Sequence, residues 1–541
     1  MSRGHVCLVL HAHMPFIRHP EHEDFLEEGW LREAILETYI PLLWLLEDLS
    51  ERGIEYRITL SLSPTLVAML KDPLLRFRFE RHLGHLCDLS EREVRRTRHE
   101  PALQRTANLY RDRFARARRD YDERWGGDLV AAFRRLSDAG CVELITCSAT
   151  HGFLPLLNQN PAAVRAQLLV GVQHHREWFG AAPPGLWLPE CGYFAGLDRV
   201  LAEAGIRYTF VETHAIDHAP GQAYYGVYAP LCSPAGVACF GRDPESTEQV
   251  WSSREGYPGD PYYREYYRDV GFDLDAKALG PLAHELGIRR NVGIKYHRVT
   301  GGTEAKELYV RERALERARE HGQNFFDNRR AQVEWLAERM GRPPIVVAPY
   351  DAELFGHWWF EGPDWLGHVL ENVARAPEHL SLVTPSDYLD SYPVNQLANP
   401  VPSSWGYKGY SEMWLNGKND WIYPHLHEAA DRMVELAEAE PAATGSARRA
   451  LNQAARELLL AQASDWAFIM SQGTVVSYAE RRTKEHLSRF RELWGMLRAR
   501  AFDEAALSEL EARDNLFPNL DYRVYRADYR MTPGREEREL R

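Results

Sequence analysis

The chain lacks any run approaching the roughly 20 consecutive apolar residues of a membrane-spanning helix, so a soluble protein is expected. It also lacks an excess of positive charge. Its 65 Lys+Arg stand against 78 Asp+Glu, a formal net charge of −13, with the arginines scattered among acids. That balance excludes the basic field on which nucleic-acid binding rests. There is no CxxC pair, and the seven cysteines (7, 87, 141, 147, 191, 232 and 239) are odd in number and lie mostly in apolar, strand-like stretches. Such usage belongs to a reducing compartment and predicts a cytoplasmic protein. The apolar stretch after Met1-Ser2-Arg3-Gly4-His5 is short and runs into His11-Ala12-His13, which does not fit a signal peptide. What the chain does have is core material: 541 residues, 45% hydrophobic and 26% charged, enough for more than one domain.

Seven short β-rich runs, at 6–10, 56–62, 142–147, 185–188, 208–211, 345–348 and 382–384, each end abruptly in polar or charged residues, with segments of helical periodicity between them. Continuous apolar strands separated by helices argue for parallel pairing, in a βα barrel or a doubly wound sheet. Either architecture places the ligand at the C-terminal strand ends, where His, Glu and Asp accumulate here. The Arg/Glu-rich stretch 72–140 reads as an inserted helical subdomain between residues 1–71 and 141–400. Residues 213–343 read as a loop and helix excursion with a strand-like 293–296. Residues 401–530 read as a helical C-terminal domain, and 532–541 as a frayed end.

Glu190, in Trp187-Leu188-Pro189-Glu190-Cys191-Gly192-Tyr193, is a carboxylate delivered by a strand into aromatic surroundings. It suits a nucleophile or an acid of tuned pKa, and equally a helix-capping glutamate. Asp351 lies in a dozen residues, Pro349 to Phe360, that hold acids, a histidine and Trp358-Trp359-Phe360. Large rings beside acids suit a sugar, whose C–H faces stack on aromatics while carboxylates meet hydroxyls. On a helix those three rings cannot all face one core. His11 and His13 alternate at a strand end, and His151 and His214 end two others. Four such histidines point to a shared site, as hydrogen-bonding groups or, as the minority reading, as metal ligands with Asp351. Trp405, Trp414, Asp420 and Trp421 lie in a Gly- and aromatic-rich junction that reads as platforms beside a cleft or as a domain interface. Asp465, within Ser464-Asp465-Trp466, is a cap or a hydroxyl acceptor. The segment His19-Pro20-Glu21-His22-Glu23-Asp24 reads as a solvated loop.

Taken in order, His11-Ala12-His13-Met14-Pro15, the stretch from Glu143 through Thr150-His151-Gly152-Phe153-Leu154-Pro155, Trp187 to Tyr193, Tyr350 to Trp359, and Trp405 to Trp421 resemble the signature regions of glycoside hydrolase family 57, within it the 1,4-α-glucan branching enzyme group. The resemblance implies a (β/α)7 barrel with an inserted helical subdomain and an all-helical C-terminal domain. It implies no metal or other cofactor and an α-1,4-glucan, such as amylose or glycogen chains, as both donor and acceptor. By position it gives Glu190 the nucleophile's place and Asp351 the general acid/base's, with His11, His13, His151, Trp30, Arg264, Trp358, Trp405, Trp414 and Asp465 toward the glucan. The loop 214–241, with His218, Pro220-Gly221 and Tyr224-Tyr225, is where alignment with the family is lost. A retaining double displacement is expected, with carboxyls about 5–5.5 Å apart and the Asp351 pKa raised. The alternatives are a 4-α-glucanotransferase or α-amylase on the same scaffold, a metal-dependent polysaccharide deacetylase, and a non-catalytic glucan-binding protein.

Overall fold

Several helix starts are written in the sequence as a cap residue followed by proline. Ser63-Pro64, Asp72-Pro73, Asn160-Pro161, Asp243-Pro244 and Thr384-Pro385 each open a helix whose first free N–H groups are accepted by the cap side chain. Proline at the first helical position loses no hydrogen bond there and brings a preset φ. These signals punctuate the alternation that builds the sheet. The computed structural model describes residues 2–252, 255–284 and 287–531; the expected fraying of 532–541 lies outside them.

Ten strands are described: β1 (His5–Ala12), β2 (Ile58–Leu62), β3 (Val142–Cys147), β4 (Gly185–Trp187), β5 (Tyr208–Val211), β6 (Leu231–Cys232), β7 (Ala238–Gly241), β8 (Ile345–Asp351), β9 (Ser381–Leu382) and β10 (Gln396–Leu397). Seven of them form one all-parallel row in the order β7-β5-β4-β3-β2-β1-β8. The two ends of the row are joined by a hydrogen bond of 2.9 Å from the Asp243 N–H, just past β7, to the Val347 carbonyl on β8. Alternation along the strands then divides the core. Cys7, Val9, Ile145, Cys147, Trp187, Tyr208, Phe210, Phe240, Ile345 and Val347 form an inner cluster. Their sequence neighbours pack outward against the helices.

Seven parallel strands agree in number with the sequence reading but not in membership. The last expected strand, 382–384, is reduced to the two-residue β9, which pairs only with the start of β1. Its place is taken by β7, inside the stretch read as a loop, where Pro234-Ala235-Gly236 turns the chain back from the antiparallel β6. The strand-like run 293–296 is buried but forms no strand; His297 only bridges Leu308. The excursion also carries the helix Arg311–Met340.

Between β2 and β3 the long helices Pro73–Arg96 and Pro101–Arg119 pack on each other, and Leu129–Asp138 leads into β3. After the sheet the chain is helical, in Ile422–Ala439, Gly445–Ala461, Ser464–Gln472, Val476–Ala499 and Glu504–Arg513. The N-terminal segment 19–24 is only partly solvated, since His19 is buried on Phe25 and bonded to the Tyr478 hydroxyl.

Candidate active site

Strand parity delivers the first members of the site. His11 continues the inward series Cys7, Val9, and Asp351 continues Ile345, Val347, so both emerge at the C-terminal mouth, where they are register partners across β1 and β8. Glu190 follows β4 on a tight turn in which Glu190 and Cys191 have φ of 61° and 51°. The left-handed region is costly for residues with a Cβ, and such strain is tolerated where surrounding contacts over-determine the conformation. Here they do. The Glu190 carbonyl accepts the Trp405 N–H at 2.8 Å, and Tyr193 and Ser403 exchange two backbone hydrogen bonds.

The Glu190 carboxylate accepts from the Trp405 indole Nε1 at 2.6 Å and from the Ser464 hydroxyl at 2.8 Å. That second bond orders a chain of protons. A serine has one hydroxyl hydrogen, so Ser464, donating to Glu190, must accept from His151 Nδ1 at 2.8 Å. His151 Nε2 is then an acceptor and receives the His11 Nε2 proton at 3.0 Å. His11 Nδ1 in turn accepts from the Ser61 hydroxyl at 3.0 Å. Both rings are neutral: burial, reinforced by the His13 charge, holds the pKa values of His11 and His151 well below the ordinary histidine range.

His13 is different. Burial works against its charge, but the Asp465 carboxylate, joined by the charges of Glu190 and Glu353, outweighs it and the pKa is raised. Its Nε2 lies 3.1 Å from both Asp465 oxygens, its Nδ1 bonds Ser63 Oγ at 2.9 Å, and its ring stacks on His151 at 3.8 Å. The ligand atoms of His13, His151 and Asp465 lie within 4.8 Å of one another, as do those of His11, Cys147 and His151, so either group has the donors for a metal ion.

The two carboxyls are unequal. Burial pushes Glu190 up to about 7, against the hydrogen bonds from Trp405 and Ser464 that favour its charged form. Burial, followed by the charges of Glu353 and Glu190, pushes Asp351 up to about 8, against His13 and Arg242. The higher proton affinity belongs to the carboxyl with no stabilising hydrogen bond to its charged form. Glu353 accepts the Tyr39 hydroxyl and the His13 N–H. Arg242 pairs with Glu212 at 2.7 Å and lies 5.6 Å over the Trp405 ring.

The remaining expected residues divide. Trp358 is 52% exposed and stacks on Tyr266 at 4.3 Å, whereas Trp359 and Phe360 are buried, which resolves the three-ring run into one platform and two core residues. Trp30 is half-buried with its edge on Tyr478. Two expectations are corrected. Trp414 is 1% exposed and stacked on Phe153, leaving no face for a sugar. The Arg264 side chain is buried among Phe360, Tyr110 and Glu37, bonds the His357 carbonyl, and supports the loop under Trp358 instead of meeting a ligand. His214 also stands apart from the other three histidines, bonding the Gly409 carbonyl at 3.0 Å under the Tyr410 ring.

The sequence reading missed Ser61, Ser63, Ser464, Tyr39 and Glu353. For the first two a signal was present: Ser61 and Ser63 share the two-residue spacing of His11 and His13, on the adjacent strand.

Two carboxyls close enough for the charge of Glu190 to raise the Asp351 pKa, held at different proton affinities at the mouth of a parallel barrel and among rings, suit acid-assisted cleavage of a glycosidic bond. The model of the family described as "Glycosyl hydrolase family 57" matches residues 7–401, nearly three-quarters of the chain. The chain belongs to glycoside hydrolase family 57. A second model, "1,4-alpha-glucan branching enzyme, C-terminal", matches residues 425–525. A 1,4-alpha-glucan branching enzyme of Thermococcus kodakarensis is 35% identical over 95% of this chain and 77% of its own. Among solved structures, the alpha-amylase AmyC of Thermotoga maritima is 43% identical with a TM-score of 0.91, over 98% of this chain and all of its own. A GH57-type branching enzyme of Pyrococcus horikoshii is 36% identical with a TM-score of 0.87 over the same shares.

Proposed function

We propose that the protein is a 1,4-α-glucan branching enzyme that cleaves an α-1,4 glucan by retaining double displacement and passes the chain to a glucan 6-hydroxyl. Glu190 attacks the anomeric carbon while Asp351 donates its proton to the leaving oxygen. Asp351, now a base, then takes the proton of the acceptor hydroxyl that resolves the glycosyl-enzyme. The strained turn and the two donors hold Glu190 in one orientation, so little is lost to reorganisation as its charge is consumed. His13 and Asp465 serve the sugar hydroxyls, His11 and His151 hold Ser464 on the nucleophile, and Trp405, Trp358 and Trp30 supply stacking faces.

The observation that carries branching over hydrolysis is the branching-enzyme C-terminal match at 425–525, because its helices are not remote from the chemistry: they bring Ser464 to Glu190 and Asp465 to His13. In keeping with it, we assign residues 1–71 and 141–400 to the catalytic barrel, 72–140 to an inserted helical subdomain and 401–530 to the C-terminal domain. The likeness to an alpha-amylase keeps hydrolysis as a second reading. Incubation with amylose decides between them: branching yields α-1,6 linkages in the proton NMR spectrum with little gain in reducing ends, and hydrolysis yields reducing ends without them. Glu190→Gln should lower either activity by at least about a thousandfold; near-normal branching in that variant would remove the nucleophile assignment. A place in cytoplasmic glycogen-type synthesis is in keeping with seven unpaired cysteines, and no helix among the described residues is long and apolar enough to cross a membrane.

A further inference from the structure

Helix Glu28–Ala34 does not pass smoothly into helix Ile40–Glu51. Between them Ile35–Tyr39 forms a π-helical turn, in which the Ile40 N–H reaches back five residues to the Ile35 carbonyl. One extra residue per turn is unfavourable in a regular helix and persists where it re-aims side chains. Here it directs two of them onto the loop that carries Asp351. The Tyr39 hydroxyl donates to the Glu353 carboxylate, and the Glu37 carboxylate meets His357 Nδ1 at 2.7 Å. Between these points the backbones touch: Gly356 has φ of 112°, and a Cβ there would come within 1.8 Å of the Glu37 carbonyl oxygen. Within the loop the Trp358 N–H bonds the Glu353 carbonyl at 3.2 Å and the Trp359 N–H the Leu354 carbonyl at 2.9 Å, so the clamped segment is bonded to itself as well as to the turn.

Glu353 is the member of this clamp nearest the chemistry. It sits two residues past Asp351 in the same short turn, and one oxygen accepts both the Tyr39 hydroxyl and the His13 N–H. We propose that the π-helical turn 35–39 is the positioning device of the acid/base loop, and that Glu353 is the positioning residue through which it keeps the proton on Asp351. The inference rests on the reading of Asp351 as the acid/base. The charged groups that face Asp351 are Glu353 on its own loop, Glu190 from the β4 turn, His13 from the end of β1 and Arg242 from the end of β7. Two of them repel its charge and two favour it. Glu353 is the one repelling group that takes no covalent part in the reaction; burial raises its pKa, and the Tyr39 hydroxyl and the His13 N–H oppose that shift by bonding its charged form and hold the carboxylate in place.

The test is the pH dependence of kcat/KM on amylose for the full-length protein. Glu353→Gln preserves the acceptor oxygen for Tyr39 and His13 but removes the charge. The alkaline limb, which reports loss of the Asp351 proton, should move down by about one pH unit while the acid limb stays within a few tenths. KM should change less than twofold. Glu353→Asp retains the charge, and its alkaline limb should stay nearer the parent's than that of the glutamine variant. Tyr39→Phe, which frees Glu353 to take up a proton, should move the same limb in the same direction by a smaller amount. An unmoved alkaline limb in Glu353→Gln overturns the proposal. If that variant does not fold, an unmoved limb in Tyr39→Phe does so. Failure of the underlying reading looks different: Asp351→Asn would then keep its activity.

Discussion

Which of two buried acids holds a proton is decided at this site by a handful of atoms. Glu190 has two hydrogen-bond donors on its carboxylate; Asp351 has none and faces two negative charges, so their proton affinities separate to about 7 and about 8. The nucleophile must be ionised and the acid protonated, so kcat/KM should describe a bell that rises through the first value and falls through the second, highest between them. Ser464→Ala removes one donor. Glu190 should then titrate higher, moving the rising limb up by about half a pH unit and lowering kcat about tenfold, with the falling limb unmoved. The same burial sets stability. Asp351 has a folded pKa raised above its unfolded value of about 3.8, so its contribution is fully present below that pH and is lost as pH rises through about 8. Asp351→Asn, which has no charge to bury, should therefore melt about 1–3 °C above the parent at pH 9 and show little advantage at pH 4. Scanning calorimetry at the two pH values checks the sign; an equal change at both would mean that the side chain's charge is not what the fold resists. Much of this chemistry was legible residue by residue. Glu190, Asp351, His11, His13 and His151 announce themselves as polar groups closing apolar strands. Ser464, Tyr39 and Glu353 do not, because their significance lies in partners that are remote along the chain.

Elements act through what they hold against one another. The strap 403–410 is tied to the Glu190 turn by three backbone hydrogen bonds and carries the indole that grips the carboxylate. It is propped from below by His214. Gly409, at φ of 78°, leaves room for that ring and no more, since an added Cβ would come within 2.6 Å of His214. Gly409→Ala should therefore displace the strap and Trp405 with it, lowering kcat/KM about tenfold while changing the melting temperature by only a few degrees. A variant of normal activity would show that the strap's position is immaterial to Glu190. Strands were legible where a continuous apolar run was bounded by turn residues; 142–147 and 208–211 coincide with β3 and β5. The miss at β7 has a physical cause. Ala238-Cys239-Phe240-Gly241 is as short as the strand-like run 293–296, and periodicity distinguishes neither from a buried loop. What separates them is the neighbouring β5, available to one and not the other.

At the scale of the whole molecule, the site depends on a packing that no single stretch encodes. The barrel mouth meets the helical region through the Ser464 N–H on the His151 carbonyl, the Thr150 hydroxyl on the Leu459 carbonyl, and the Gly152–Ala463 bridge. The helices that deliver Ser464 are in turn locked by a buried polar network. Asp514, wholly buried, pairs with Arg489 at 2.8 Å and lies 3.8 Å from Arg482, while Glu457 bonds His486 at 2.7 Å. Removing one partner from such a network leaves buried charge uncompensated, at a cost of about 3 kcal/mol. Asp514→Asn should therefore lower the melting temperature markedly. Because none of these groups reaches Glu190 or Asp351, the folded fraction should keep the parent's pH profile. Ser464→Ala should do the reverse, moving the profile with little effect on melting. Were Asp514→Asn to shift the pH limbs at temperatures where it remains folded, the helical region would be coupled to the carboxylates by more than the placement of Ser464 and Asp465. The contrast between the two variants separates a scaffold that holds the site from one that tunes it.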